Sequence, residues 1–300
     1  MRTIPIRGGL FLAVVIASCS PIRATQSAAS ETTAQLPQIK ADPAAGMLER
    51  GFHDLYELKF NEARAEFIAF EKLRPQDPLG KAAEAASYLF EQFYAKGVLT
   101  SSFFLDDSKL LVGVEGTPSE NRNAAFLEAN HGARELAKER VKRNPRDTNG
   151  LLVLAMTDGM ESDYDALIER RQLASLGPRR QAENEANTLL AIDPTAQDAY
   201  VALGISDYII GCLPGYKRAF LWFGGIHGDR ARGMQELELA AANGHYFKPF
   251  AKILLALAAA REHQMDIAHK MLADLTAEFP SNPLFARELA LLEKRMAEKH

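Results

Sequence analysis

Met47 to Asp77 reads MLERGFHDLYELKFNEARAEFIAFEKLRPQD, and the proline near its end, Pro75, is the first of a series. Pro145 (KRNPRD), Pro194 (AIDPTA) and Pro280 (EFPSNP) follow it. Twelve residues before the four prolines stand Ala63, Ala133, Ala182 and Ala268. Ten residues after them stand Ala85, Ala155, Gly204 and Ala290, with Leu154, Leu203 and Leu289 just ahead of the last three. Fixed offsets held over four copies are an internal repeat. Ala and Leu are abundant, while Gly and Pro are few and clustered, which suits short helices separated by turns. The prolines are 70, 49 and 86 residues apart, so the array is irregular and carries inserted segments.

The quoted unit resembles a tetratricopeptide repeat, a helix–turn–helix. Phe60-Asn61-Glu62-Ala63 matches the start of that family's second helix, and Gln197 to Tyr208 (QDAYVALGISDY) has the look of its first. In this resemblance Gly51 and Ala63 take the small positions of the two helices, Phe67 the aromatic position, and Pro75 closes the unit. Tyr56 stands one residue away from the usual aromatic slot. The pattern has a packing logic. Small residues let two antiparallel helices approach, large ones fill the groove between repeats, and proline ends the second helix because it lacks the backbone donor. The resemblance covers residues 47–298 and implies an all-α, irregular α-solenoid of five or six helical hairpins that binds peptides or proteins on a concave face. Ser162 to Leu176 reads as an additional helix, and Leu284 to Glu298 as a capping helix.

Composition is that of a globular domain, with 47% hydrophobic and 25% charged residues. A formal net charge of −4 gives no excess of cations to neutralise phosphates, which argues against a nucleic-acid partner. The N-terminus reads as an export signal: two arginines within residues 1–7, then the apolar run LFLAVVIA at residues 10–17. That run is far short of the roughly 20 residues that span a bilayer. It ends in Ile16-Ala17-Ser18-Cys19, which resembles the bacterial lipobox, so Cys19 is the expected lipid-attachment residue after removal of residues 1–18. Ser20 resembles the outer-membrane-directed type. Outer-membrane attachment facing the periplasm is therefore expected, with a soluble periplasmic form as the alternative. Residues 19–45 read as a flexible tether and residues 46–300 as the helical domain.

Two stretches break the repeat pattern. Residues 97–123 mix Gly, Ser and Asp with Phe103, Phe104, Leu110, Leu111 and Val112, and read as a long connection packing its own Phe pair or as a functional loop. Residues 208–228 (YIIGCLPGYKRAFLWFGGIHG) hold the chain's one tryptophan. Tyr208, Tyr216, Lys217, Arg218, Trp222 and His227 there are the candidate partner-binding residues. The same aromatics would serve equally as the core of an enlarged repeat, or would suit a membrane interface with the cations snorkelling.

No HExxH, GxSxG or phosphate-binding loop occurs. Asp158, Glu161, Asp163 and Asp165 could serve a hard cation, but helix capping explains them more simply. His263 and His269 are six residues apart and read as surface residues, and Cys212 as a structural thiol. No catalytic residue, cofactor or metal is therefore expected. The reading is a non-catalytic protein-binding scaffold at the cell envelope. Its alternative is a small-molecule or lipid binder whose pocket is formed by the two irregular segments.

Overall fold

The four prolines open four copies of one turn. In a computed structural model that describes residues 42–106, 109, 112–114 and 119–298, each stands at the second position of a β-turn closed by a backbone hydrogen bond. The donors are the N–H groups of Asp77, Asp147, Ala196 and Asn282, and the acceptors are the carbonyls of Arg74, Asn144, Asp193 and Phe279. The helices before these turns end at Leu73, Arg143, Ile192 and Glu278, each two residues short of its proline. In three of the four, all but the Pro194 turn, the residue ending the turn then caps the next helix. Asp77, Asp147 and Asn282 accept from the N–H groups of Leu79, Gly150 and Leu284 at 2.7–3.0 Å. Such a cap is worth about 1 kcal/mol. One tetrapeptide therefore both stops a helix and starts its successor.

Thirteen α-helices result among the described residues, and no strand. Five antiparallel pairs follow one another: α1 (Pro43–Tyr56) with α2 (Phe60–Leu73), α3 (Pro78–Ala95) with α5 (Glu120–Arg143), α6 (Thr148–Asp163) with α7 (Leu176–Ile192), α8 (Tyr200–Cys212) with α10 (Arg230–Asn243), and α11 (Lys248–Arg261) with α12 (Met265–Glu278). The short α4 (Ser101–Phe104) and α9 (Gly215–Phe223) lie inside the insertions, and α13 (Pro283–Ala297) packs on α12 as the cap. The fold is an all-α solenoid of helical hairpins, and the hairpins fit a tetratricopeptide-like arrangement.

The repeat offsets mark the packing positions. Ala63, Ala133, Ala182 and Ala268 are all buried, as are Ala85, Ala155 and Gly204. A Cβ on Gly51 would lie 2.4 Å from the Phe67 ring, so this glycine is what allows α1 and α2 to close on that side chain. Ala290 keeps the offset but is exposed, on a face of α13 that no described element covers. Ser162 to Leu176 does not form the additional helix expected. Helix α6 runs on into one π-type turn at Tyr164–Ile168, and Arg170, with φ at +60°, takes the chain out of helical geometry.

The array does not remain open. Its first hairpin meets its last elements along a seam. Phe52 stacks on Tyr246 with ring centroids 4.7 Å apart, and Tyr56 packs on Phe279 at 5.5 Å. The Tyr56 hydroxyl donates to the Tyr246 carbonyl at 2.9 Å, and Asn282 Nδ2 donates to the Tyr56 carbonyl at 2.7 Å. The buried Asp198 accepts from the N–H groups of His245, Tyr246 and Phe247 at 2.7–3.1 Å, and so presents Tyr246 to Phe52 and Tyr56.

The start of the first insertion adds to this closure. Arg261 Nη1 donates to the Phe104 carbonyl, and the Ser101 N–H donates to the Glu288 carboxylate. Val98 and Phe103 are buried there, and Phe103 packs edge-on against Phe104. Residues 97–106 are thus a connection that packs its own Phe pair.

Candidate functional site

Closure of the solenoid decides what its inner face can offer. The inward sides of α1, α3, α6, α8 and α11 line a cavity of about 100 Å³ among Phe52, Phe90, Met156, Met160, Ile205 and Phe250, of which Phe90, Met156, Ile205 and Phe250 are half-buried. Ligand sites typically enclose about 300–1,000 Å³. The cavity is apolar apart from Asp163 and Asp198, and the second of these is spent on the seam. No described residue of 97–123 or 208–228 lines it. Gly97, Leu99 and Thr100 border a different cleft of about 280 Å³ with Pro283, Leu284 and Arg287.

The four clustered acids do not converge. They lie at the C-terminal end of α6 and in the turn after it, so they are not the N-terminal caps expected. Asp158 and Glu161 both pair with Arg134, at 2.6 and 2.7 Å, and Asp165 pairs with Arg171. Asp163 faces the inner cavity. Burial pushes its carboxyl up to about 6, against the pull of Arg179, and pushes Asp158 up to about 6 as well. Among the described residues no group of three or more His, Cys, Asp or Glu side chains could hold a metal. His263 is exposed in the α11–α12 turn, and His269 meets Glu293 at 3.1 Å. Cys212 is half-buried, and burial pushes its thiol up.

The second insertion has the opposite character. Helix α9 has no buried residue. Tyr216 is 74% exposed, Phe220 72%, Trp222 61% and Phe223 84%. Tyr216, Ala219, Phe220 and Phe223 are spaced i, i+3, i+4, i+7, which sets them in one stripe along the helix, and all four are exposed. Lys217 and Leu221, on the other side, are half-buried. The backbone is pinned at its root, where Arg218 Nη1 and Arg230 Nε donate to the Gly211 carbonyl at 3.3 and 3.0 Å. His227 returns beside the Trp222 ring, with centroids 6.2 Å apart.

Five of the six candidate residues, Tyr216, Lys217, Arg218, Trp222 and His227, therefore share this protruding segment. Tyr208 does not. It is buried against α11, its hydroxyl donating to the Ala258 carbonyl and Glu262 at 3.3 and 3.2 Å, and burial pushes that hydroxyl well above the usual tyrosine range. Its place is in the core, because α8 continues in register to Cys212 before the insertion begins. Phe220 and Phe223 are the larger omission. The i, i+3, i+4, i+7 spacing from Tyr216 was the signal that could have found them. Cys19 and the expected signal and tether up to residue 41 lie outside the described residues.

No known family model matches the chain, and no curated protein does. Among solved structures it is similar to a thermophilic tetratricopeptide repeat protein of Thermus thermophilus, with 18% identity over 83% of this chain and 98% of that one, and a TM-score of 0.44. The fold assignment rests on the turns and helix pairs described above.

Proposed function

We propose that the protein is an exported, non-catalytic interaction protein of the bacterial cell envelope, held to the membrane by a lipid on Cys19, and that α9 is its recognition element. One observation carries the choice of α9. Four large aromatic side chains stand in solvent on a single nine-residue helix, while the aromatics elsewhere in the fold are largely packed away. An exposed apolar patch of this kind marks an interaction site. Solenoids of helical hairpins commonly serve as binding scaffolds through the concave face. Here the seam joins the first hairpin to the last elements and narrows that face to a cavity of about 100 Å³, which moves the expected contact to α9. The alternative, a ligand pocket shared by the two irregular segments, has less support, since no described residue of either lines the inner cavity and the cleft beside Gly97, Leu99 and Thr100 takes in none of 208–228.

The test is site-specific photocrosslinking in intact cells. A photoreactive residue at position 223 should give adducts, and one at the equally exposed Leu173 should not. Equal yields from both positions would remove α9 as the recognition element. Separately, Cys19→Ser should release the protein from membranes. Wild-type protein found wholly soluble would sink the anchor.

A further inference from the structure

We infer that the surface α9 recognises is the interfacial layer of an anionic phospholipid bilayer. This rests on the reading of α9 as the recognition element and names its partner. The first reason is shape. The Tyr216–Ala219–Phe220–Phe223 stripe is a convex ridge, and the cavities described above lie elsewhere in the fold. A protein partner would have to bring a groove cut for the ridge, whereas a bilayer flows around it. The second is chemistry. Phe220 and Phe223 offer wholly apolar rings, while Tyr216 and Trp222 carry a polar tip on an apolar body, the combination that settles where acyl chain meets headgroup.

The third reason is charge. The chain holds 39 acids and 35 Lys and Arg residues, yet no acid falls between Asp207 and Asp229. Two acids at the root of the segment, Asp207 and Glu262, are held by Arg232 and Arg230 at 2.9 and 3.3 Å. Half-buried Lys217 lies nearest the edge of the stripe, while Arg218 projects from the far side of the helix and donates to the Gly211 carbonyl. The segment therefore offers an anionic surface the Lys217 ammonium with no carboxylate of its own to compete.

An interfacial helix lies in the plane of the membrane with its apolar face about 5–10 Å into the headgroup boundary. Nine residues make a helix about 14 Å long, which binds only weakly alone. The proposed lipid on Cys19 would hold the protein at the bilayer, with the chain between Cys19 and α9 raising the local concentration of bilayer at α9.

Trp222 is the chain's sole tryptophan, so its fluorescence reports α9 and nothing else, including any contact made by the N-terminal apolar run. Full-length chain carrying Cys19→Ser would be titrated with vesicles of phosphatidylglycerol and phosphatidylethanolamine. Trp222 emission should move to shorter wavelength and be quenched by lipids brominated near the top of the acyl chain. Phe220→Ser with Phe223→Ser should weaken vesicle binding about tenfold or more at unchanged helicity. Lys217→Glu should weaken it about tenfold on anionic vesicles and little on phosphatidylcholine.

Unmoved emission at saturating lipid overturns the inference. If the photoreactive residue at 223 then traps a protein, α9 remains the recognition element with a different partner. If it traps nothing, both readings fall. Emission that shifts equally on neutral and anionic vesicles also overturns the anionic surface.

Discussion

At the seam, Phe52, Tyr56, Tyr246 and Phe279 are packed ring against ring, with both spare polar atoms of Tyr56 hydrogen-bonded across the closure. On α9, Tyr216, Phe220, Trp222 and Phe223 meet solvent, and Trp222 packs on its neighbours Phe223 and His227. The residue types are the same and the energetics opposite. Burying an aromatic ring stabilises the fold by a few kcal/mol, so the seam aromatics hold the structure together. The α9 aromatics forgo that gain and add an aggregation hazard. The solenoid is therefore stabilised by its closure, while α9 leaves its aromatics in solvent.

The seam side of the comparison should break most visibly. Phe52→Ala removes a ring that is 4% exposed and touches Phe67, Tyr246 and Phe247, and should cost about 3–5 kcal/mol in chemical denaturation. A loss below about 1 kcal/mol would mean that closure contributes little. Next in size is Asp198→Ala. It strands three N–H groups at the approach to α11 and should cost about 3 kcal/mol, with Asp198→Asn recovering part of it. If Asp198→Ala loosens only residues 245–247 in hydrogen exchange and leaves α1 untouched, the carboxylate is a local cap and does not hold the seam.

Asp163 gives a smaller, pH-dependent effect. Its folded-state carboxyl is raised to about 6, above the ordinary aspartate value of about 3.9. Between those values the folded chain holds a proton that the unfolded chain has released. This contribution to stability therefore grows as pH falls from about 6 to about 4, and is lost above about 6. Asp163→Asn should abolish it. The stability of the variant relative to wild type should be more favourable at pH 7 than at pH 4.5, by on the order of 2 kcal/mol. A difference that does not change with pH would show that the carboxyl is not held in the dry interior.

The repeat was legible because it is local. A proline, a small residue twelve before it and another ten after it are fixed by the packing of one hairpin, and the offsets from Pro75, Pro145 and Pro194 all landed on buried positions. The seam was not legible, because its partners lie far apart in sequence: Tyr56 meets Tyr246 and Asn282 across 190 and 226 residues, and nothing near Tyr56 announces them. The one hint was its displacement from the usual aromatic slot. The candidate segment was half legible. Composition singled out residues 208–228, but whether an aromatic-rich stretch is core or surface depends on what packs over it, and α8 and α10 close on each other without α9. Tyr208 was included because it borders the insertion, although its side chain belongs to the α8 register.

The smallest expected effect is the one that makes the comparison sharp. Phe220→Ser and Phe223→Ser change rings that are 72% and 84% exposed and leave the Arg218 and Arg230 contacts to Gly211 in place. Each should therefore alter folding stability by no more than about 0.5 kcal/mol, against the roughly 3–5 kcal/mol expected at Phe52. If thermal unfolding shows a loss near about 2 kcal/mol instead, α9 folds against the body of the domain and its aromatics belong with the seam. If stability holds while Trp222 ceases to respond to vesicles, the same residue type has been separated into two roles by exposure alone. That outcome would also explain why α9 ends at Gly224-Gly225, with φ at +75° in the second glycine: the chain turns back to α10 immediately after Phe223, so the ridge ends with its last aromatic.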